Sequence, residues 1–357
     1  MLQVKSLRKA LIPPSLLMDP SPANLQSTRL ALHVNEDASS CSVYVASGCC
    51  VYNVVISMED TMVTRGKESL LIPVPAQTIR ASLVKRCPHR TEIQSIALAD
   101  TQCDMGMILG TVDSFGHVII SRLDPSNEDV ERLTFTTLPQ DFGVGESSWA
   151  GICFCPSRWS TAAVARSFCK SIDIYDQDIH LQTLRTLWHP ASICFLQSLS
   201  YEYENSSILA VAEGCQLTIW DLRTKHNGGC VERVSGSLGH PFYAVCSSSS
   251  GTVAIGGADR TVTIYDSRKW TALSRWVNCS KYEITGLAFS SFDPDHIYVQ
   301  GVDYEVCCGK WQGNEKAFSF RGDSNWLGFS KCSKMDVLAG WCESGNIFVA
   351  DVKGPID

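Results

Sequence analysis

Ser171-Ile-Asp-Ile-Tyr-Asp176, Gln216-Leu-Thr-Ile-Trp-Asp221 and Thr261-Val-Thr-Ile-Tyr-Asp266 are three short stretches that share one pattern. In each of them polar and apolar residues alternate, and an aromatic residue followed by Asp ends the stretch. The aromatic–Asp pairs lie 45 positions apart along the chain. Alternation with a period of two is typical of a β-strand, and a fixed interval of about 40–45 residues is typical of a repeat architecture. The centre of the chain is therefore predicted to consist of repeated β-sheet units.

Similar strand-like segments extend on both sides of these three units. They group into seven sets of an inner, a middle and a third strand, with inner strands predicted to begin near Leu30, Ile93, Trp149, Ser192, Phe242, Ile284 and Trp326. Gly, Asp, Asn and Ser separate the strands, as turns require. The sequence predicts an all-β fold, a single seven-bladed β-propeller over residues 29–357, preceded by an N-terminal segment over residues 1–28. Insertions are predicted around residues 58–75 and 125–146, in the first two blades.

The last predicted blade has no outer strand after its third strand, which is predicted over residues 346–352. The segment before the first blade can supply that strand, with residues 2–10 as the first candidate and residues 26–30 as the second. Pairing the two segments would remove an unpaired sheet edge, which is a site for unwanted association. We therefore expect an N-terminal strand to complete the last blade.

The repeated units resemble the blades of the WD-repeat family. That family has Gly-His before the inner strand, Asp in a later turn, and Trp-Asp at the end of the third strand. The fifth unit matches with Gly239-His240, Asp259 and Tyr265-Asp266. The first two units lack the signature.

The fourth unit matches the family in part, through Trp188-His189 and Trp220-Asp221, and has Glu213-Gly214 where the turn acid is expected. The resemblance implies that the His, the turn acid and the aromatic residue form a buried hydrogen-bonded network, which would stiffen each blade. The residues expected in this structural network are His189, Trp220, His240, Asp259 and Tyr265.

Two aromatic-Asp-x-Arg sequences, ending at Arg223 and at Arg268, carry a further resemblance. Each closes a sixteen-residue pattern similar to a box found in WD-repeat substrate receptors of cullin-RING ubiquitin ligases. The resemblance implies that Asp221, Arg223, Asp266 and Arg268 lie near a surface that the ligase's propeller adaptor binds. An exposed Arg can bind a partner carboxylate or carbonyl through its planar fork of donors. The alternative is that each Arg pairs locally with its own Asp.

The composition gives no support for catalysis. Seventeen cysteines contain no Cys-x-x-Cys, and the eight histidines show no ligand spacing. There is no Gly-x-Ser-x-Gly sequence of a hydrolase nucleophile. The sequence therefore predicts a non-enzymatic protein that uses no cofactor or metal. Cysteines of this kind are typical of reduced, buried thiols, which favours the cytoplasm or the nucleus.

Several functions stay open. The first is a scaffold that acts as substrate receptor or adaptor of a cullin-RING ligase, and the second is a structural subunit of an RNA-processing, nuclear-pore or trafficking complex. A propeller enzyme would need converging acids or metal ligands near the central channel. Expected partners are proteins, with the chain a monomer within a larger complex. The net charge of −7 and the lack of a basic stripe do not favour nucleic acid, and no apolar run reaches the length of about 18 residues that a membrane span needs.

Two basic segments also have alternative interpretations. The cluster Lys85-Arg86-Cys-Pro-His89-Arg90 is either a solvated loop or a docking site for phosphate or an acidic peptide. The N-terminus contains no acid before Asp19, so an organelle transit peptide is a further possibility.

Overall fold

The chain forms a seven-bladed β-propeller, as the sequence predicted. The structure, a computed structural model, describes residues 2–13, 25–35, 37–59, 63–84, 89–100, 106–123, 134–139, 148–197 and 207–354. The first strands of blades one to six neighbour one another in order, and the first strand of blade seven neighbours that of blade one. This arrangement closes the ring.

The N-terminal strand and the first two blades contain twelve strands. Strand β1 is Gln3–Leu11. Blade one comprises β2 (Leu30–Val34), β3 (Ser40–Ser47), β4 (Cys50–Ser57) and β8 (Thr78–Leu83). Its insertion contains β5 (Thr64–Arg65), a 3-10 helix (Lys67–Ser69), β6 (Leu71–Ile72) and β7 (Val74–Pro75). Blade two comprises β9 (Ile93–Asp100), β10 (Met107–Asp113), β11 (Val118–Leu123) and β12 (Thr134–Thr137).

Blades three to five are regular four-stranded antiparallel sheets. Blade three comprises β13 (Ala150–Cys155), β14 (Arg158–Arg166), β15 (Ser171–Asp176) and β16 (Ile179–Arg185). Blade four comprises β17 (Pro190–Phe195), β18 (Ile208–Glu213), β19 (Gln216–Asp221), a 3-10 helix (His226–Gly229) and β20 (Cys230–Ser235). Blade five comprises β21 (Phe242–Ser247), β22 (Thr252–Gly257), β23 (Val262–Asp266) and β24 (Thr271–Trp276).

Blade seven takes its fourth strand from the N-terminus. Blade six comprises β25 (Ile284–Phe289), β26 (His296–Gly301), β27 (Glu305–Lys310) and β28 (Glu315–Arg321). Blade seven comprises β29 (Trp326–Lys331), β30 (Val337–Cys342) and β31 (Asn346–Lys353). Strand β1 pairs with β31 in antiparallel register, with Gln3 opposite Lys353 and Leu11 opposite Asn346. The predicted closure by the first candidate strand is therefore confirmed.

The blade-one insertion extends along the ring. Its strand β7 pairs in parallel with β1 and becomes the fifth strand of the blade-seven sheet. Leu70 forms a bridge with Ser319 on β28, and Leu71 is buried among aromatic residues of blade six. Arg8 on β1 is 1% exposed and donates to the carbonyls of Met58 and Glu59 at 2.8 and 2.5 Å. The insertion therefore supports the closure from outside.

The core consists of side chains packed between neighbouring blades. All seven sets join one blade to the next, as between blades seven and one, where Val337, Trp341 and Val349 pack on Val43 and Val54. A buried polar junction joins blades six and seven. There Asp336 accepts hydrogen bonds from the hydroxyls of Ser290 and Tyr298, and Lys331 Nζ lies 3.3 Å from its carboxylate. Because the carboxylate has these partners, its burial is tolerated.

The strand limits differ from prediction at a few places. The first strand of blade three begins one residue later than predicted, at Ala150, and that of blade four begins two residues earlier, at Pro190. A β-bulge between Pro190 and Ser192 shifts the pairing there. The predicted insertion over residues 125–146 is wrong in part, because Thr134–Thr137 is the outer strand of blade two; the remainder of that range lies outside the described residues.

Candidate protein-interaction faces

The antiparallel order of the strands divides the loops between two faces of the ring. The first strand of every blade begins on one face, which we call the upper face. That face carries the turns between second and third strands and the linkers between blades. The opposite face, the lower face, carries the turns between first and second strands and between third and fourth strands. Each of the three repeated aromatic–Asp pairs ends a third strand and so lies at the lower face.

Asp221 and Arg223 form an ion pair with each other at the lower face of blade four. Arg223 donates from Nε to Asp221 Oδ1 at 3.0 Å and from Nη2 to Oδ2 at 2.8 Å. These bonds from Arg223 hold the pKa of the Asp221 carboxyl below its usual value. The Arg223 side chain is nevertheless 62% exposed. The local pairing that was the alternative interpretation is therefore present at this site, and it leaves the guanidinium accessible.

Asp266 and Arg268 occupy the equivalent position in blade five with a different arrangement. Asp266 Oδ1 accepts the backbone N–H of Arg268 at 2.9 Å, which fixes the turn. The exposed guanidinium of Arg268 makes no hydrogen bond or ion pair with any residue that the structure describes. Its five donors are thus available to a partner.

Blade three places a third arginine at the same end of the ring. Asp176, which closes the first aromatic–Asp stretch, is bound by Arg158 Nη2 at 2.6 Å. Arg158 is on β14 and 55% exposed, and the residue two positions after Asp176 is Asp178. The sequence pattern did not predict this arginine because it comes from a different strand.

The structural network predicted for blade four contains Trp220 and Glu213, but it does not contain His189. Trp220 Nε1 donates to Thr218 Oγ1 at 3.0 Å, and Thr218 donates to the fully buried Glu213 at 2.6 Å. The second oxygen of Glu213 accepts the Trp188 backbone N–H at 2.8 Å. His189 lies outside this network: it is exposed, and its Nδ1 bonds the carbonyl of Ser167 at 2.8 Å. Glu213 therefore takes the place of the turn Asp.

In blade five the structure does not bring His240, Asp259 and Tyr265 together. His240 is exposed, and Asp259 accepts the backbone N–H of Thr261 at 3.1 Å. Tyr265 is buried, and no hydrogen bond joins these three described residues. The acid of the blade-four network ends β18, but the equivalent position at the end of β22 is Gly257. Asp259 is two residues further along, where its carboxylate faces its own turn.

Blade two contains a buried His–acid network, although its sequence lacks the family signature. His89 is buried, with Nε2 at 2.8 Å from Thr111 Oγ1 and Nδ1 at 3.3 Å from Asp113 Oδ2. Asp113 ends β10 and also accepts the backbone N–H groups of Phe115 and His117 at 3.0 Å. Burial raises the pKa of the Asp113 carboxyl, but the hydrogen bonds from His89 and His117 outweigh it and lower the pKa overall. The feature of the sequence that could have revealed this network is a His four residues before the inner strand.

This finding also changes the interpretation of the basic cluster that ends at Arg90. His89 is part of the blade core, and Arg90 is exposed. Lys85 and Arg86 lie outside the described residues, so the docking hypothesis for this cluster stays a prediction.

The second candidate for the closing strand, residues 26–30, lies at the upper end of the ring instead. Ser27 Oγ donates to Gln300 Oε1 of blade six at 2.7 Å. Thr28 donates to the Gln94 carbonyl of blade two at 2.7 Å and accepts from Trp149 Nε1 at 3.0 Å. This segment therefore connects blades six, two and three before the chain enters blade one.

No group of three or more His, Cys, Asp or Glu residues placed to hold a metal ion occurs within the described part of the chain. The same residues include no helix long and apolar enough to cross a membrane. All fifteen described cysteines are free thiols, and burial raises the pKa of several of them, to about 12 at Cys41 and Cys194.

No protein-family model and no curated protein matches this chain. Its architecture is a seven-bladed propeller, and propellers commonly present loops from a rigid ring to protein partners. Function on such a fold has to be argued from the residues on its faces.

Proposed function

We propose that this chain is a WD-repeat protein that holds other proteins together without catalysis, as the substrate receptor or adaptor of a cullin-RING ubiquitin ligase. The observation that carries this proposal is the placement of two aromatic-Asp-x-Arg sequences at equivalent positions of adjacent blades. Both present an exposed arginine, Arg223 and Arg268, at the lower face. The ligase's propeller adaptor would bind there.

The two arginines would contribute differently to such a contact. Arg268 offers its full set of donors without giving up a bond to a described residue. Arg223 would either share Asp221 with the partner or exchange it for a partner carboxylate. An exposed pair such as Asp221–Arg223 contributes only about 0–1 kcal/mol, so the exchange costs little. Arginine is also among the residues that most often dominate binding energy at interfaces.

The test is co-purification of the adaptor and cullin with the tagged chain from native cells. The double variant R223A/R268A is expected to lose both proteins. The matched control is R233A/R275A, which removes two exposed arginines from the outer strands of the same two blades. Equal recovery with both double variants would refute the ligase assignment.

A second candidate is a structural subunit of a stable RNA-processing, nuclear-pore or trafficking assembly. It is supported by large apolar side chains that are exposed at the upper face, which are typical of a surface covered by a partner. In that case a stoichiometric partner would co-purify with R223A/R268A as well as with the natural sequence. In both cases we propose that the protein is a monomer within a larger complex in the cytoplasm or the nucleus.

A further inference from the structure

Loops of blades three to five form a continuous hydrogen-bonded band on the upper face. In blade three, Phe168 N–H donates to Ser148 Oγ at 3.1 Å, and Lys170 accepts from Thr186 N–H in the next linker at 2.9 Å. Because each loop is bonded to its neighbour, the backbone of this band is held in place before any partner binds. Such preorganisation lowers the entropy cost of binding.

The band continues across blade four to blade five. Trp188 is tied to the core through its backbone bond to Glu213, and its ring covers Gly214. The Gly214 carbonyl in turn accepts the Phe242 backbone N–H at 2.7 Å, at the start of blade five. The blade-four turn therefore joins the two linkers on either side of it.

Large apolar side chains project from this band into solvent. Leu238 is 94% exposed at the tip of a turn that is closed by the bond from His240 N–H to the Ser237 carbonyl. Phe168, Leu187 and Trp188 are each more than half exposed. An isolated exposed apolar residue is ordinary, but several on neighbouring rigid loops mark an interaction surface.

The charge of this band is opposite to that of the whole chain. In the five loops between strands of blades three to five on the upper face, the charged residues are Lys170, Asp259 and Arg260. The Asp259 carboxylate accepts a hydrogen bond from the backbone N–H of Thr261 in its own turn, whereas Arg260 is exposed. These five loops therefore carry a net formal charge of +1 (two bases and one acid), against −7 for the whole chain. The complement of this band is an acidic partner, because opposite potentials steer and align binding partners.

We propose that the upper-face patch formed by Phe168, Lys170, Leu187, Trp188, Leu238 and Arg260 binds an acidic protein segment that carries large apolar side chains. The apolar residues of the segment would cover Leu238 and Trp188, and its carboxylates would face Lys170 and Arg260. The inference deepens the proposed scaffold function and rests on it: the lower face would hold the adaptor and the upper face the protein to be recruited.

The experiment is a fluorescence-anisotropy titration of the full chain with three short labelled probes. The first is a peptide of Asp and Glu interspersed with Leu and Phe, the second replaces the acids by Lys, and the third is single-stranded oligouridine RNA. Binding of the acidic peptide alone is expected, and it should weaken as salt is raised because the charges are exposed. Preference for the Lys peptide, or binding of RNA without the acidic peptide, would overturn the proposal.

Single substitutions test whether the peptide binds at the upper-face patch. L238A is expected to weaken peptide binding about tenfold, as the loss of a buried leucine contact would. R260E should weaken it at least about threefold and reduce its salt dependence. The controls are L273A and R275E, which change exposed residues on the outer strand of blade five and should bind normally. Equal effects of patch and control variants would refute the site.

The failure of this inference is distinguishable from failure of the ligase assignment. R223A/R268A should bind the acidic peptide with unchanged affinity, and L238A should still co-purify adaptor and cullin. Loss of adaptor with R223A/R268A, together with no peptide binding by the natural sequence, would refute the upper-face proposal and leave the ligase assignment standing. Peptide binding without any recovery of adaptor would retain the upper-face site and refute the ligase role.

Discussion

Removal of the N-terminal strand should cost most of the stability of the ring. Leu2, Val4, Leu7 and Ile12 are each at most 7% exposed. Burial of such a side chain contributes about 1.5–3 kcal/mol, so deletion of residues 1–12 removes roughly 6–12 kcal/mol of apolar burial. The net stability of a folded protein is only about 5–15 kcal/mol. The deletion also exposes the edge of β31, and we expect it to abolish cooperative unfolding or to lower Tm sharply.

A single substitution gives a graded version of the same test. Leu7 is 2% exposed and packs among blade-seven residues, so L7A should cost about 3 kcal/mol. At about 2.1 cal/mol/K per residue, unfolding of 357 residues has an entropy of about 0.75 kcal/mol/K. The expected decrease in Tm is therefore about 4 °C. Leu11, on the same strand but 59% exposed, is the matched control, and L11A should change Tm by less than about 1 °C.

Thermal unfolding followed by circular dichroism and calorimetry measures both changes. Unchanged unfolding of the truncated chain would show that the ring does not depend on the N-terminal strand. Equal effects of L7A and L11A would show that burial on the inner side of this strand is not the source of its stabilisation.

Three further predictions concern the turn of blade four, the acid of blade two and the insertion. G214A should destabilise the protein by about 1–2 kcal/mol in denaturant unfolding and increase the solvent exposure of Trp188, since Gly214 has φ +53° and an added Cβ would lie 2.9 Å from the Trp188 ring; unchanged stability would contradict this packing. Asp113 has a pKa below its usual 3.8, so its stabilisation is present above pH 3.8 and is lost as pH falls through the lower folded-state pKa. D113N should therefore flatten the acid limb of the stability profile, and an identical limb would refute the assignment. L71A, at a 2% exposed position, should cost about 2–4 kcal/mol in the same unfolding assay, whereas I72A, at a 46% exposed position, should cost little; similar losses would exclude a supporting role for the insertion.

The order of strands could be predicted because each blade repeats one pattern of alternation and turns. Five of the seven inner strands begin at the predicted residue, including Leu30 and Trp326 in the two blades that meet at the closure. Burial of alternate residues between blades is a local property, so the sequence of one blade is sufficient to reveal it. The exceptions are at Ala150 and Pro190.

Members of the polar networks were harder to predict, because a hydrogen bond forms only when the donor and the carboxylate oxygen lie within about 3 Å of each other. Asp259 has the residue type of the family signature, but its position beyond Gly257 directs it to Thr261. His89 and Asp113 have no Gly-His before the strand, yet their positions relative to β9 and β10 bring them together. Position relative to the end of the middle strand therefore decides membership more than the identity of the flanking residues does.

The separation of the two candidate faces has a consequence for how partners combine. Strand β19 runs from Gln216 at the upper face to Asp221 at the lower face, and six residues of β-strand span roughly 20 Å. Leu238 is thus far from Arg223 and Arg268, and sites separated by more than about 10 Å without shared contacts usually contribute additively. A rigid ring therefore permits two partners to bind blades four and five at once without competing, which a single binding surface could not do.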